Sequence, residues 1–157
     1  MAKKVKKEYD IEFVNRKAAY EYHFVDTLEA GIKLVGTEIK SIRKGLVNLK
    51  DAYCHFVGTE LFVRSIYIKE YDHATHFNHE PRRDRKLLLK KTELRKWQRK
   101  VKERGLTMVP YRLYVNEKGL AKLEICLAQG KKSYDKRDSI KEKDNKRDLA
   151  RMKKQYG

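Results

Sequence analysis

Leu28-Glu-Ala-Gly-Ile-Lys-Leu-Val-Gly-Thr-Glu-Ile-Lys-Ser-Ile-Arg43 is the stretch whose reading decides the fold. Ile32 and Leu34 alternate with Lys33 and Val35, the period of a strand. After Gly36 the phase changes, because Ile39 lies five residues beyond Leu34 and falls on the opposite face of an ideal strand. A glycine at a phase change marks a bulge or a sharp bend. The expectation is one long bent strand, starting near Tyr22 and running to Arg43, shared by both halves of a small barrel. Two short strands joined by a Gly36-Thr37 turn are the other reading.

The rest of the chain supplies the partner. Its 157 residues suit one domain with an appendage, and 40% hydrophobic content suffices for a single core. Lys and Arg number 39 against 22 Asp and Glu, a net charge of +17 that calls for a polyanionic partner. The excess is concentrated: Arg82 to Gly105 carries +9 and Gly130 to Gly157 carries +6, which leaves the remainder at +2. Two basic blocks on a near-neutral body point to two contact regions. Cys54 and Cys126 cannot make a disulfide framework, which fits a reducing compartment. The basic N-terminus is followed by no apolar signal segment, and no run of about 18 apolar residues could span a membrane. A cytoplasmic monomer with no membrane partner is expected.

Working outward, residues 1–12 form a charged arm, and Asn15 is placed to cap a short helix through Ala18 and Tyr20. Asn48 to Asp51 reads as a tight turn, Ala52 to Val57 as a strand, Gly58-Thr59 as a hairpin turn and Glu60 to Ile68 as the return strand. Tyr71 to Pro81 is a His-rich loop. Leu94, Trp97 and Val101 fall at helical spacing, in a helix that starts at Thr92 or earlier, near Leu87, and ends at Gly105. Val109, Tyr111, Leu113 and Val115 share one face of a strand, with Pro110 marking an edge or a bulge. Asn116 to Gly119 is a hairpin loop, and Ala121, Leu123, Ile125 and Leu127 point inward from the last strand.

Strands, a helix after the third, then two more strands is the order of the oligonucleotide-binding (OB) barrel. The predicted fold is therefore all-β with added helices, an OB-type closed antiparallel β-barrel over residues 1–129 with a C-terminal tail over 130–157. An open sheet packed on one helix is the alternative. In the tail only Leu149, Met152 and Tyr156 could share a helical face, too narrow a stripe to offset ordering entropy. The tail is expected to be disordered when free and helical when bound; a docked helix is the other reading.

Five stretches occur in an order that resembles the small protein B (SmpB) family. They are Glu29-Ala-Gly-Ile with Gly36-Thr-Glu-Ile-Lys-Ser-Ile-Arg43, Asn48 to Tyr53, His79 to Leu89, Gly105-Leu-Thr with Pro110, and Gly130-Lys-Lys-Ser-Tyr-Asp-Lys-Arg137. The resemblance covers about Asn15 to Arg137. It implies an OB-type barrel without enzymatic activity or cofactor. Such a protein binds the tRNA-like domain of transfer-messenger RNA (tmRNA, SsrA RNA) and carries it to stalled ribosomes for trans-translation.

By motif position the resemblance also implies site residues. Glu29, Leu88 and Lys122 match positions implicated in RNA binding, and Asn15, Arg16 and Lys17 match an N-terminal motif, with Tyr22 counted beside them. In the tail, Lys131, Lys132, Lys136, Arg137, Lys141 and Lys143 would line the empty mRNA channel over small-subunit rRNA, with Tyr134 stacking at the decoding centre. From the residues alone, Lys122 is an outward cation. Glu29 would hold a neighbouring cation such as Lys122, accept from a base edge, or satisfy backbone N–H groups; Leu88 is either interface or core.

Other chemistries are poorer fits. His73, His76 and His79 lack the spacing of a zinc site, so no metal is expected. Glu38, Asp51 and Glu60 read as strand-end salt bridges rather than a hydrolase pair, and no nucleophile motif appears. A structural ribosomal protein of basic barrel type is the alternative function.

Overall fold

The computed structural model describes residues 11–74, 76–131 and 133–156, with 133–135, 139, 155 and 156 described by backbone alone. Glu12–Val14 (β1) and Arg16–Glu21 (α1) lead into Tyr22–Ile32 (β2). Asn15 caps α1 as expected: its Oδ1 accepts from the Ala18 N–H at 3.2 Å. Its Nδ2 also donates to the Leu49 and Pro110 carbonyls, each at 3.1 Å, so the cap doubles as a buried clasp.

The long bent strand is not formed. It stops at Ile32, and Gly36–Arg43 is a helix (α2). What looked like a phase change within a strand is a change of period. Ile39 and Ile42 are three residues apart, and Ile42 is fully buried. Glu38 folds back to accept from the Val35 N–H at 3.1 Å, satisfying a donor at the helix start. Gly36 is not among the glycines with positive φ, and nothing lies within 4 Å of where its Cβ would sit. It makes no bend.

Val47–Asn48 (β3), Tyr53–Val57 (β4) and Glu60–Arg64 (β5) follow, then Tyr67–Ile68 (β6) and Arg85–Leu88 (β7). The return strand is thus broken at Ser65, which takes a positive φ of 66°. The next helix, Lys91–Arg104 (α3), starts later than Leu87, because Leu87 is a core residue of β7. Glu93 accepts from the Lys90 N–H at 3.2 Å at its start, and Gly105 ends it with φ 60°. Thr107–Val115 (β8), Ala121–Gly130 (β9) and Ser133–Tyr156 (α4) complete the order. The helix expected after a third strand therefore follows β7.

All pairings are antiparallel, and the large sheet runs β1-β8-β4-β5-β7-β2-β9. β9 also pairs with β8, so the ladder returns to a strand already in it. β3 and β6 form a separate two-stranded sheet. The main core lies inside this ring and contains Ala121, Leu123, Ile125 and Leu127, as the alternation of β9 requires, together with Trp97 of α3.

The face assigned to β8 needs correction. The register slips between Pro110 and Arg112, a bulge at the proline the sequence singles out. Leu113 and Val115 join the main core, whereas Val109 and Tyr111 join Ala18, Cys126 and Ala128 in a second, smaller one. α1 thus covers the outer face of one end of the β8–β9 pair.

One buried ion cluster ties α2 to the sheet. Glu38 and Arg85 are both fully buried and directly paired. Arg83 Nε donates to the same carboxylate at 2.8 Å. Arg85 also donates to the Ile66 carbonyl at 2.8 Å and the Pro81 carbonyl at 3.1 Å. Beside it His79, also buried, has Nε2 at 2.8 Å from the Ile68 carbonyl and Nδ1 at 2.9 Å from Thr37 Oγ1. A carbonyl can only accept, so Nε2 carries the proton and Nδ1 accepts from the hydroxyl.

Among its described side chains α4 buries no apolar stripe: Ile140, Leu149 and Met152 are all exposed. It touches α1, where Lys136 Nζ lies 5.9 Å from the Tyr20 ring centre. Among the described residues no helix is long and apolar enough to cross a membrane.

Glu38→Gln should lower unfolding free energy by about 3–5 kcal/mol, the cost of leaving the buried Arg85 uncompensated. Burial alone would raise the Glu38 carboxyl, but hydrogen bonds from Arg83 and Arg85 hold it below its ordinary value of 4.5. Its contribution is therefore complete above pH 4.5 and declines as pH falls below it. Denaturant titrations from pH 6 down to about 3 should show a shallower acid loss in the variant.

Candidate nucleic-acid interface

β7 alternates strictly. Arg85 and Leu87 point in and are buried, which forces Lys86 and Leu88 out. Leu88 is 53% exposed, so of its two readings the core one fails. Across the sheet, Leu88 pairs with Gly31 of β2, Gly31 with Lys122 of β9, Lys122 with Tyr114 of β8, and Tyr114 with Glu12 of β1. These residues form one transverse row over five strands. The Gly31 position is close-packed: a Cβ there would stand 3.2 Å from the Leu88 Cβ, tight enough that Leu88 would have to shift by a few tenths of an ångström.

A second row lies two residues along, where Glu29, Glu124, Arg112 and Val14 are paired in turn. Glu29 and Glu124 face each other as like charges, which needs a counterion. Arg112 supplies one to Glu124: its Nε donates at 3.1 Å and its Nη2 lies at 3.0 Å, while Nη1 reaches Glu12 at 3.2 Å. The guanidinium also sits 4.5 Å from the Tyr114 ring centre. Glu29 itself accepts from Tyr114 Oη, not from Lys122. Partial burial, then the Glu29 carboxylate, push the Tyr114 phenol up to about 12, so it stays a donor at neutral pH. Lys122 makes no ion pair among the described residues.

Glu29, Leu88 and Lys122 are therefore brought onto one outer face. It has a free cation, an exposed leucine and a carboxylate held by a tyrosine. Tyr114 and Arg112 were missed as site residues. Their outward alternation on β8 was visible, but nothing in the sequence tied Tyr114 to Glu29.

The N-terminal group lies elsewhere. Asn15 is buried and spends its amide internally. Arg16 is exposed, Lys17 pairs with Asp51 at 3.3 Å, and Tyr22 pairs with Gly130 and packs on the second core. With Tyr20, Tyr111, Lys143 and Lys146, Arg16 lines a cleft between α1 and α4. Lys131 is held to α1, its N–H donating to the Glu21 carbonyl at 2.8 Å. Arg137, Lys141 and Lys143 are exposed along α4. Lys132 and the Tyr134 side chain lie outside the described residues.

Glu38, Asp51 and Glu60 all sit in salt bridges, though Glu38 does so inside a helix, not at a strand end. Both cysteines are free and buried; burial pushes both thiols up, that of Cys126 to about 11. Among the described residues no cluster of three His, Cys, Asp or Glu is placed to hold a metal.

A family model described as SmpB protein matches residues 12–155. The chain belongs to the SmpB family. Relatives within it include the SsrA-binding protein of Christiangramia forsetii, 54% identical over 93% of both chains. That of Bacteroides thetaiotaomicron is 55% identical over 93% of this chain and 97% of its own. A solved structure described as "tmRNA-SmpB: a journey to the center of the bacterial ribosome" superposes with a TM-score of 0.66 at 45% identity. It covers 78% of this chain and 86% of that one.

Two adjacent leucines test the face assignment. Leu87→Ala should cost about 2–5 kcal/mol of stability, whereas Leu88→Ala should cost under about 1. Glu29→Gln should return the Tyr114 titration, followed by tyrosinate absorbance, from about 12 toward its ordinary 10.

Proposed function

We propose that this protein binds the tRNA-like domain of tmRNA and delivers it to stalled ribosomes, where the RNA tags the unfinished peptide. The observation that carries this is the β7-β2-β9-β8 face, where Leu88, Gly31 and Lys122 line up beside Glu29 in a chain of the SmpB family. RNA phosphates take the free Lys122 cation, and the Tyr114–Glu29 pair offers a carboxylate lone pair to a base edge or a ribose hydroxyl. We read the ring of paired strands as a closed OB-type barrel, the protein as a cytoplasmic monomer, and its action as binding without catalysis.

Residues 130–157 are read as a separate working part. α4 has a dense run of cations and, among its described side chains, no buried apolar stripe, so the body holds it weakly. An RNA-walled mRNA channel would complete it, with Tyr134 at the decoding-centre end. Glu142 and Lys146, four residues apart, support the helix once formed. Arg16, Lys17 and Tyr22 are proposed to add RNA contacts from α1 and its exit, with Asn15 holding that helix in place.

Titration of the tRNA-like domain with the full chain should show steep salt dependence, with log K falling by roughly 0.7Z to 0.9Z per decade of salt for Z phosphate contacts. Lys122→Ala should weaken binding by about 1–2 kcal/mol with no change in unfolding temperature. Salt-insensitive binding, or none, would overturn the reading. Truncation after Lys131 should spare RNA binding yet abolish tagging on stalled ribosomes. Retained tagging would remove the channel role.

A further inference from the structure

The segment between β6 and β7 is long, but it is not loose. Its ends are joined by the Ile68 N–H donating to the Pro81 carbonyl at 3.0 Å. Within it, the Asn78 side chain clamps Tyr71 from both sides of the peptide unit, accepting from its N–H at 3.1 Å and donating to its carbonyl at 3.0 Å. His79 anchors the next position in the interior. Just before those two fastenings stands Phe77, 88% exposed and the most exposed large hydrophobic side chain described.

A pinned loop that leaves a phenyl ring in water has not hidden it by collapse, although a hydrophobic ring gains by burial. Cations gather at the ring of Tyr71, whose backbone Asn78 holds. Lys40 and Lys44, one turn apart on α2, have their ammonium groups 5.3 and 4.9 Å from the Tyr71 ring centre. Neither is in an ion pair among the described residues. Arg82 lies 5.5 Å from the Tyr67 ring centre. Acids are present too, but Asp72 is offset by Lys69 at 3.8 Å, and Glu70 and Glu80 point to solvent. Rings interleaved with unpaired cations suit a nucleobase with its phosphates. They suit an apolar peptide or a lipid surface less well.

Arg43, between the two lysines on α2, has its guanidinium 3.5 Å from where a Cβ on Gly119 would lie. Gly119 is in the turn that leads to Lys122. Arg43 thus stands at the β8–β9 turn, beside Lys40 and Lys44 in the sequence.

We infer that Phe77 is a second RNA contact, a stacking platform for an unpaired base of the same RNA that covers the β7-β2-β9-β8 face, with Lys40 and Lys44 taking the flanking phosphates. This rests on the proposed RNA-binding reading and adds to it a site off the sheet. The test titrates the tRNA-like domain of tmRNA with the full-length protein. Phe77→Ala should weaken binding roughly tenfold, the effect of one lost stack, while Phe77→Trp should restore it. Neither change should move the unfolding temperature. Lys122→Ala is measured alongside: if it weakens binding and Phe77→Ala does not, the inference fails while the sheet-face reading stands. If Phe77→Ala spares the free RNA but lowers association with ribosomes, the occupant is ribosomal and the inference is again overturned. A failure of Phe77→Trp to restore binding would show that the ring does not act by stacking.

Discussion

Glu38 is the residue on which the rest of this structure depends. Its carboxylate has no access to water and is charged, so it must be surrounded by donors. Those donors come from α2's own entry, through the Val35 N–H, and from Arg83 and Arg85 beyond a long loop. Arg85 in turn donates from both of its Nη nitrogens, to the Ile66 and Pro81 carbonyls. One acid therefore fixes where α2 sits, where β7 enters the sheet and how the intervening loop is closed. Once Arg85 is fixed inward, alternation turns Leu88 outward and lays it across Gly31.

That dependence also explains what the sequence could and could not show. Ala121, Leu123, Ile125 and Leu127 recur at every second position of β9, so its main core face was legible residue by residue. Asn15 as a cap, the Gly105 stop and the bulge at Pro110 were legible because each is a local property of one residue type. The helical nature of Gly36–Arg43 was not, because its apolar signal is only Ile39 and Ile42 behind an alternating Ile32 to Val35, and the arginines that secure Glu38 lie more than forty residues away. β7 was hidden for the same reason: a fully buried arginine within a basic run reads as surface. Glu29 and Lys122 could be named by resemblance, but the Tyr114 hydroxyl as the true partner of Glu29 follows only from pairing across three strands.

The two cores divide the labour on β8 and β9. Where α1 lies over Val109, Cys126 and Ala128, both faces of the sheet are buried. Where it does not reach, Arg112, Tyr114, Lys122 and Glu124 remain partly open. The Asn15 clasp to the Leu49 and Pro110 carbonyls holds α1 at that boundary. The extent of the proposed RNA face is thus set by a short helix that need not itself touch the RNA.

β9 acts as a gauge. Both register irregularities around it fall in its neighbours, at Val25 and Tyr111, and it is paired on both sides from Lys122 to Ala128 and on one side to Gly130. A strand so held advances about 3.4 Å per residue, so Lys122 and Gly130 stand roughly 27 Å apart. α4 continues from there for 24 residues, about 36 Å of helix at 1.5 Å per residue. A partner that grips Lys122 and a second surface that receives the tail are therefore spaced by the chain itself. Matching that span is a demand placed on whatever assembly presents the two surfaces together.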